Sequence, residues 1–238
     1  MPKKLFVIGV GPGSPKYVTD IAKEAVRRSQ YIVGYRYTLT TIEGIIDRTK
    51  QQVFEVTMKS QEDIYQDVYA RMQDGQYCTV PFTGDVNFSE SEVVDRLLEI
   101  FGDDNVEVIP GISSIQVAAA KSRVPTDKAL IITFHVTGDI EQKKRDLVAA
   151  VKGSKTVILL PRPWPRDLSR HFMQSDIAKF LKANGVDTSK LRVWVFEHLT
   201  TEKETTFRGT VQDLEGKEFS DLSAMVIDQV KRQTYLEF

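Results

Sequence analysis

The stretch that most constrains this chain is Phe6-Val7-Ile8-Gly9-Val10-Gly11-Pro12-Gly13-Ser14-Pro15. An unbroken apolar run from Leu5 to Val10 reads as a strand buried on both faces, as in a parallel sheet. It ends in alternating glycines, which let the backbone turn sharply and approach a ligand that a side chain would hold off. Open α/β sheets bind ligands at the carboxyl ends of their strands, so this turn is a candidate site. Two common glycine loops do not fit it. A dinucleotide fingerprint starting at Gly9 needs a third glycine where Ser14 stands. It also needs an acidic residue after the second strand, which instead ends in Gly34-Tyr35-Arg36. A phosphate loop needs Gly-Lys-Ser/Thr after the glycines, and none follows. A purely structural turn remains the other reading.

The same pattern recurs twice. A strand over 78–82 runs into Thr83-Gly84-Asp85-Val86-Asn87-Phe88-Ser89, and a strand over 106–109 runs into Pro110-Gly111-Ile112-Ser113-Ser114. Helices are expected over 20–29, 40–49, 61–75, 92–101 and 115–121. Strands alternating with helices imply a parallel sheet, which places the turns near residues 11, 85 and 112 along one edge. Pro125-Thr126-Asp127 reads as a domain boundary. Beyond it come strands over 129–134 and 156–160, and helices over 140–151 and 167–184. Strands over 192–197, 205–211 and 224–228 have short polar connections, which suggests antiparallel pairing. The expected fold is α/β with two α/β domains, 1–125 around a parallel sheet and 126–238 around a mixed one. An active-site cleft is expected between them.

Composition closes off several function classes. With 238 residues the chain can bury the cores of two domains. Its 32 Lys and Arg against 33 Asp and Glu argue against a nucleic-acid protein held by phosphate contacts. The single cysteine, Cys78, allows no internal disulfide and fits a reducing interior. No apolar stretch reaches the roughly twenty residues of a membrane span. Met1-Pro2-Lys3-Lys4 leads straight into the first strand without a signal peptide, so a cytoplasmic location is expected. His135, His171 and His198 are too far apart to suggest a metal set, and no serine or cysteine motif suggests a hydrolytic triad.

Four pieces, in this order and spacing, carry a resemblance: Val7 to Gly13, Thr83-Gly84-Asp85, Val108 to Ser114, and Glu197-His198-Leu199-Thr200-Thr201-Glu202-Lys203-Glu204. Together they resemble the tetrapyrrole methylases, which methylate corrin and porphyrin precursors with S-adenosylmethionine. Gly-Pro-Gly-Ser-Pro, Ile32-Val33-Gly34-Tyr35-Arg36 and the run ending at Gln116 look most like the members that methylate C5 of a cobalt-corrin precursor. The resemblance implies a homodimer. The aerobic counterparts resemble fusions with a decarboxylating methyltransferase, and this chain stops at Phe238 without one. A separate partner enzyme for C15 is therefore expected. Two places depart from the family. Val86 stands where proline is usual, with no glycine in 87–91, and Phe134-His135-Val136-Thr137-Gly138 replaces a His-Gly pair.

The site residues follow from that resemblance. Donor contacts are expected at Gly11, Pro12, Gly84, Asp85, Val86, Phe88, Ser113, Ser114, Leu160 and Ala224. Tetrapyrrole precursors carry many carboxylates, so arginines on a cleft rim suit them. Arg36 and Arg162 are the candidates, with His135 beside them and Trp164 offering a flat face to a macrocycle. Arg123, Arg166 and Lys121 are further cations in the same class. No protein-bound metal is expected. The family chemistry makes a substrate ring carbon the nucleophile, so no catalytic residue is named, and the acceptor of the departing proton is left open.

Overall fold

The structure is a computed structural model that describes residues 2–163 and 171–230. The chain forms two compact units, Met1–Ser114 and Ile115–Phe238. In the first, chain order is β1 (Lys4–Gly9), α1 (Asp20–Arg28), β2 (Tyr31–Tyr35), α2 (Arg36–Ile42), β3 (Gln52–Val56), α3 (Gln61–Arg71), β4 (Tyr77–Phe82), α4 (Ser91–Phe101) and β5 (Val106–Ile109). The strands are all parallel, in the order β3-β2-β4-β1-β5.

Alternate residues of each strand point to opposite faces, and here both faces are covered. Phe6, Ile8 and Ile32 pack with Ala22 and Val26 of α1 and with Leu39 and Ile42 of α2. Leu5, Val7, Val33 and Val80 pack instead with Tyr65 and Val68 of α3 and with Leu97 and Phe101 of α4. This is why the strands read as continuous apolar runs. The strand order sends β1 across β4 to reach β2, whereas β4 crosses β1 to reach β5. Right-handed crossovers running in opposite directions leave their helices on opposite faces. The carboxyl ends of β1 and β4 therefore flank the switch point of the sheet, where open α/β sheets bind ligands.

Local chemistry sets the helix limits. The Thr19 hydroxyl accepts from the Ala22 N–H at 3.3 Å and caps α1. The helix expected over 40–49 forms earlier, over Arg36–Ile42, with a single 3-10 turn at Glu43–Ile45 after it. Buried Thr38, Leu39 and Ile42 give the earlier segment a core face. The stretch after it is polar and held at the surface by the Glu43–Arg48 and Asp47–Lys50 pairs.

The second unit contains α5 (Ser114–Ser122, whose first residue belongs to the first unit), β6 (Ala129–Thr133), α6 (Glu141–Lys152), β7 (Thr156–Leu160), β8 (Arg162–Pro163), β9 (His171–Phe172), α7 (Gln174–Ala183), β10 (Arg192–Glu197), β11 (Thr205–Thr210) and β12 (Ser223–Asp228). Its main sheet runs β11-β10-β12-β7-β6, parallel only between β6 and β7. One face buries Ile132, Val157, Val193 and Met225 against Leu147 of α6 and Ile177 and Leu181 of α7. The helix expected over 167–184 is shorter than that. His171–Phe172 pairs antiparallel with Arg162–Pro163, so the helix starts only at Gln174. The Asp176 carboxylate fixes that start, accepting from the Met173 N–H at 3.1 Å and lying 2.7 Å from His171 Nδ1. Residues 167–170 of the expected helix lie outside the described residues. Among the described residues, no helix is long and apolar enough to cross a membrane.

Candidate active site

Strands β4, β1 and β5 are neighbours, so the three special turns sit side by side at one edge of the first sheet. Val10 N–H donates to the Phe82 carbonyl at 2.8 Å, and then the two chains clasp. Gly84 N–H donates to Gly11 O at 2.8 Å and Gly11 N–H donates to Gly84 O at 3.3 Å, an antiparallel bridge at the end of a parallel sheet. Both glycines have positive φ, 79° and 72°. The third turn closes in from the other side. A methyl built on Gly111 would overlap the Gly84 carbonyl oxygen and lie 2.6 Å from the Gly9 carbonyl carbon. One built on Gly9 would lie 2.5 Å from that same oxygen. Gly9 and Gly111 are therefore needed because three main chains meet with no room for side chains there, and Gly11 and Gly84 for their positive φ.

Around this clasp lie the expected donor residues of the first unit. Pro12 is buried, and the Thr41 hydroxyl of α2 donates to Gly13 O at 3.3 Å, tying the first turn to the next crossover. Asp85 Oδ1 accepts from the Asn87 N–H at 2.7 Å, and Phe88 N–H donates to the Asp85 carbonyl, so Asp85 shapes its own turn. Val86 is buried in the core shared with α3 and α4, a place an apolar residue can hold without the ring of proline. The left-handed conformation that a glycine would supply in 87–91 falls on Ser89, at φ 86°. Ser113 is buried and Ser114 half-buried, and both lie within 4 Å of a methyl built on Gly84.

A further group lies at the same sheet edge. Glu90 follows the β4 turn, immediately before α4, and is half-buried. Burial, with the nearby Glu92 charge adding to it, pushes its carboxyl up to about 7. Its own charge helps push up the Tyr35 and Tyr65 phenols, which burial raises first. The Tyr35 hydroxyl at the end of β2 donates to Gln61 Oε1 at 2.7 Å and lies 3.2 Å from Met58 Sδ. Tyr65 is 1% exposed, and its hydroxyl has no hydrogen-bond partner among the described residues. The expected site did not include Glu90. Its one sequence signal was a carboxylate inside a loop that elsewhere in the family carries a glycine.

In the second unit Leu160 ends β7 and Ala224 lies in β12. Met225 pairs with Leu159, and the antiparallel register brings Ala224 level with Leu160, so these two expected donor contacts are neighbours. His135 is half-buried; burial holds its imidazole below the usual range, and the Asp221 charge partly offsets this. Arg162 is 4% exposed, not a rim cation. Its guanidinium donates to the carbonyls of Thr137 and Gly138 at 2.9 and 2.8 Å and braces the turn after β6. Arg36 is exposed at the start of α2, and Arg123 is exposed after α5. Lys121 is paired with Glu204 at 2.6 Å, whose other oxygen accepts from the Thr200 N–H at 2.7 Å. Trp164 and Arg166 lie outside the described residues. Among the described residues, no group of three His, Cys, Asp or Glu is arranged to hold a metal ion.

Comparison with known proteins agrees with this geometry. The family profile of the tetrapyrrole (corrin/porphyrin) methylases matches residues 4–215. A probable cobalt-precorrin-7 C(5)-methyltransferase of Methanocaldococcus jannaschii is 29% identical over 230 residues, covering 94% of this chain and 97% of that protein. A cobalt-precorrin-4 C(11)-methyltransferase of the same organism is 24% identical over 234 residues, covering 90% and 82%. The crystal structure of the methyltransferase CobJ superposes with a TM-score of 0.74 at 18% identity, over 98% of this chain and 97% of that one. With the profile spanning nearly the whole chain and the fold shared end to end, the chain belongs to the tetrapyrrole (corrin/porphyrin) methylases, methyltransferases that use S-adenosylmethionine as donor.

Proposed function

We propose that the protein methylates C5 of cobalt-precorrin-7 in cobalamin biosynthesis. The observation that carries this reading is the end-to-end likeness to the Methanocaldococcus jannaschii relative, which leaves little of either chain unmatched. The same reading makes it a homodimer working beside a separate enzyme that methylates and decarboxylates at C15. S-adenosylmethionine supplies an electrophilic methyl on a sulfonium centre. The substrate's enamine-like ring carbon is the nucleophile, so the protein's task is alignment, worth several kcal/mol of the barrier when well oriented.

The first unit is suited to the donor. Main-chain N–H and C=O groups at the switch point offer both signs of partial charge to a molecule that carries an ammonium and a carboxylate. Gly11, Pro12, Gly84 to Val86, Phe88, Ser113 and Ser114 are the proposed donor contacts there, and Leu160 and Ala224 those of the second unit. Arg36, Trp164 and His135 are the proposed contacts to a polycarboxylate ring, and Arg162 acts by bracing the turn that carries His135.

The decisive experiment is incubation with carbon-13 methyl donor and a panel of corrinoid precursors, followed by NMR of the product. Label at C5 is expected. Label at C11, C17 or C20 keeps the class and removes the assignment. Calorimetry with S-adenosylhomocysteine is expected to give heat, and heat with NAD in its place would remove the donor reading.

A further inference from the structure

Two neighbouring strands of the first sheet end alike. β2 and β3 run parallel, with Tyr35 opposite Val56. β2 leads into Tyr35-Arg36, and two residues past the end of β3 comes Met58-Lys59. Each strand thus delivers an apolar side chain and then a cation to the carboxyl edge. Met58 is 60% exposed, more than any other large apolar side chain among the described residues. A single exposed apolar side chain is ordinary on a protein surface. This one is held in place. The turn that carries it is closed by the Ser60 N–H donating to the Thr57 carbonyl at 3.1 Å and by the Thr57 N–H donating to Ser60 Oγ at 3.0 Å. The Tyr35 hydroxyl lies 3.2 Å from Met58 Sδ and is anchored on Oε1 of the buried Gln61 at 2.7 Å. Ordering a methionine costs rotamer entropy, and leaving it in water recovers none of that by burial. The arrangement therefore presents a fixed apolar surface, thioether beside phenol, to something outside the chain. Arg36 and Lys59 flank it. Both are exposed, and neither side chain has an ion-pair or hydrogen-bond partner among the described residues.

We propose that Tyr35, Arg36, Met58 and Lys59 form a subsite for one pyrrole-derived ring of the substrate, an assignment that rests on the reading of the protein as a corrinoid methylase. Tyr35 and Met58 lie against the face of that ring. The polarizable, unbranched thioether can conform to a ring that is puckered rather than flat. The Arg36 guanidinium and the Lys59 ammonium take carboxylates at the ring's rim, Arg36 as a planar fork and Lys59 as a point charge on a flexible stem. A ligand that is apolar on its face and anionic at its edge matches both halves of the subsite, and a tetrapyrrole precursor has that chemistry.

The test uses cobyrinic acid, a cobalt corrin with free side-chain carboxylates, and its methyl ester, in which those groups are neutral. Binding to the full chain is followed by the corrin's visible absorbance for wild type, Met58→Ala, Met58→Leu, Lys59→Ala and Lys59→Arg. Met58→Ala is expected to weaken both compounds about tenfold. Lys59→Ala is expected to weaken the acid about tenfold, less so at high salt, and to leave the ester unchanged. Met58→Leu and Lys59→Arg should keep most of the affinity. With cobalt-precorrin-7, kcat/KM should fall by the same factors. All variants should melt with wild type and bind S-adenosylhomocysteine as it does, which a merely structural role would not allow. Met58→Ala and Lys59→Ala that bind the acid like wild type would overturn the subsite, as would a Lys59→Ala loss equal for acid and ester. Wild type that binds S-adenosylhomocysteine but neither corrin, and methylates no corrinoid, would defeat the functional reading and the subsite with it. Product labelled at C5 by wild type and by both alanine variants with equal kcat/KM would remove the subsite alone.

Discussion

At Gly9 and Gly111 the residue type is forced by backbone meeting backbone, which cannot move aside as a side chain can, and at Gly84 it is favoured by a positive φ of 72°. Gly111→Ala is expected to cost about 3 kcal/mol or more and to abolish S-adenosylhomocysteine binding, read by thermal melts and calorimetry. Glu90 makes a pH-dependent prediction. Its carboxyl is raised from the usual 4.5 to about 7, so the folded state holds the proton more tightly than the unfolded chain. The stability this gives is complete below the unfolded value and is lost as pH rises through about 7. Glu90→Gln should therefore melt higher than wild type at mildly alkaline pH, by on the order of 1–2 kcal/mol, and no higher under acid conditions. The glycines were legible because their spacing breaks the two common loop templates. Glu90 and Arg162 were less so. Charge in a sequence says nothing of burial, and burial sets a carboxyl's proton affinity and turns a guanidinium into a brace.

Elements with a single dominant signal were read closely. Strands β5 and β7 lie where apolar runs flanked by turn residues put them. Helix α1 lies where Thr19 caps it, and Thr19→Ala is expected to cost about 1 kcal/mol in urea unfolding, because the Ala22 N–H loses its acceptor. Misreadings came where a tertiary contact overrode a local pattern. The stretch over 40–49 is rich in Thr and Ile and holds Gly44, a weak helix former, while the core takes Thr38, Leu39 and Ile42, and the helix forms around them. The start of α7 is set by the pairing of His171–Phe172 with Arg162–Pro163, a contact between segments eight or more residues apart that no periodicity records. Arg162 links this ribbon to the turn after β6, so Arg162→Met is expected to lower stability by about 2 kcal/mol, seen as a drop in Tm, by leaving the Thr137 and Gly138 carbonyls without their charged donor.

On the scale of the whole molecule, the lone cysteine reports on unfolding. Cys78 is buried in β4, the middle strand of the first sheet, and burial pushes its thiol far above the usual range. Alkylation by iodoacetamide in native buffer is expected to be about a thousandfold slower than for a free thiol, and to accelerate with urea in step with loss of circular dichroism. Fast native labelling would mean that β4 opens independently of the rest. The parallel first sheet, the mixed second sheet and the placing of the three turns along one edge follow from the alternation of strands, helices and short connections, whereas the strand order β3-β2-β4-β1-β5 has no signal in the sequence. The hydrogen bonds that join Gly11 to Gly84 involve no side chain, and they hold together two crossovers that depart to opposite faces. Side chains around this knot can therefore differ, as the buried Val86 does in place of a proline, while the frame beneath them stays the same.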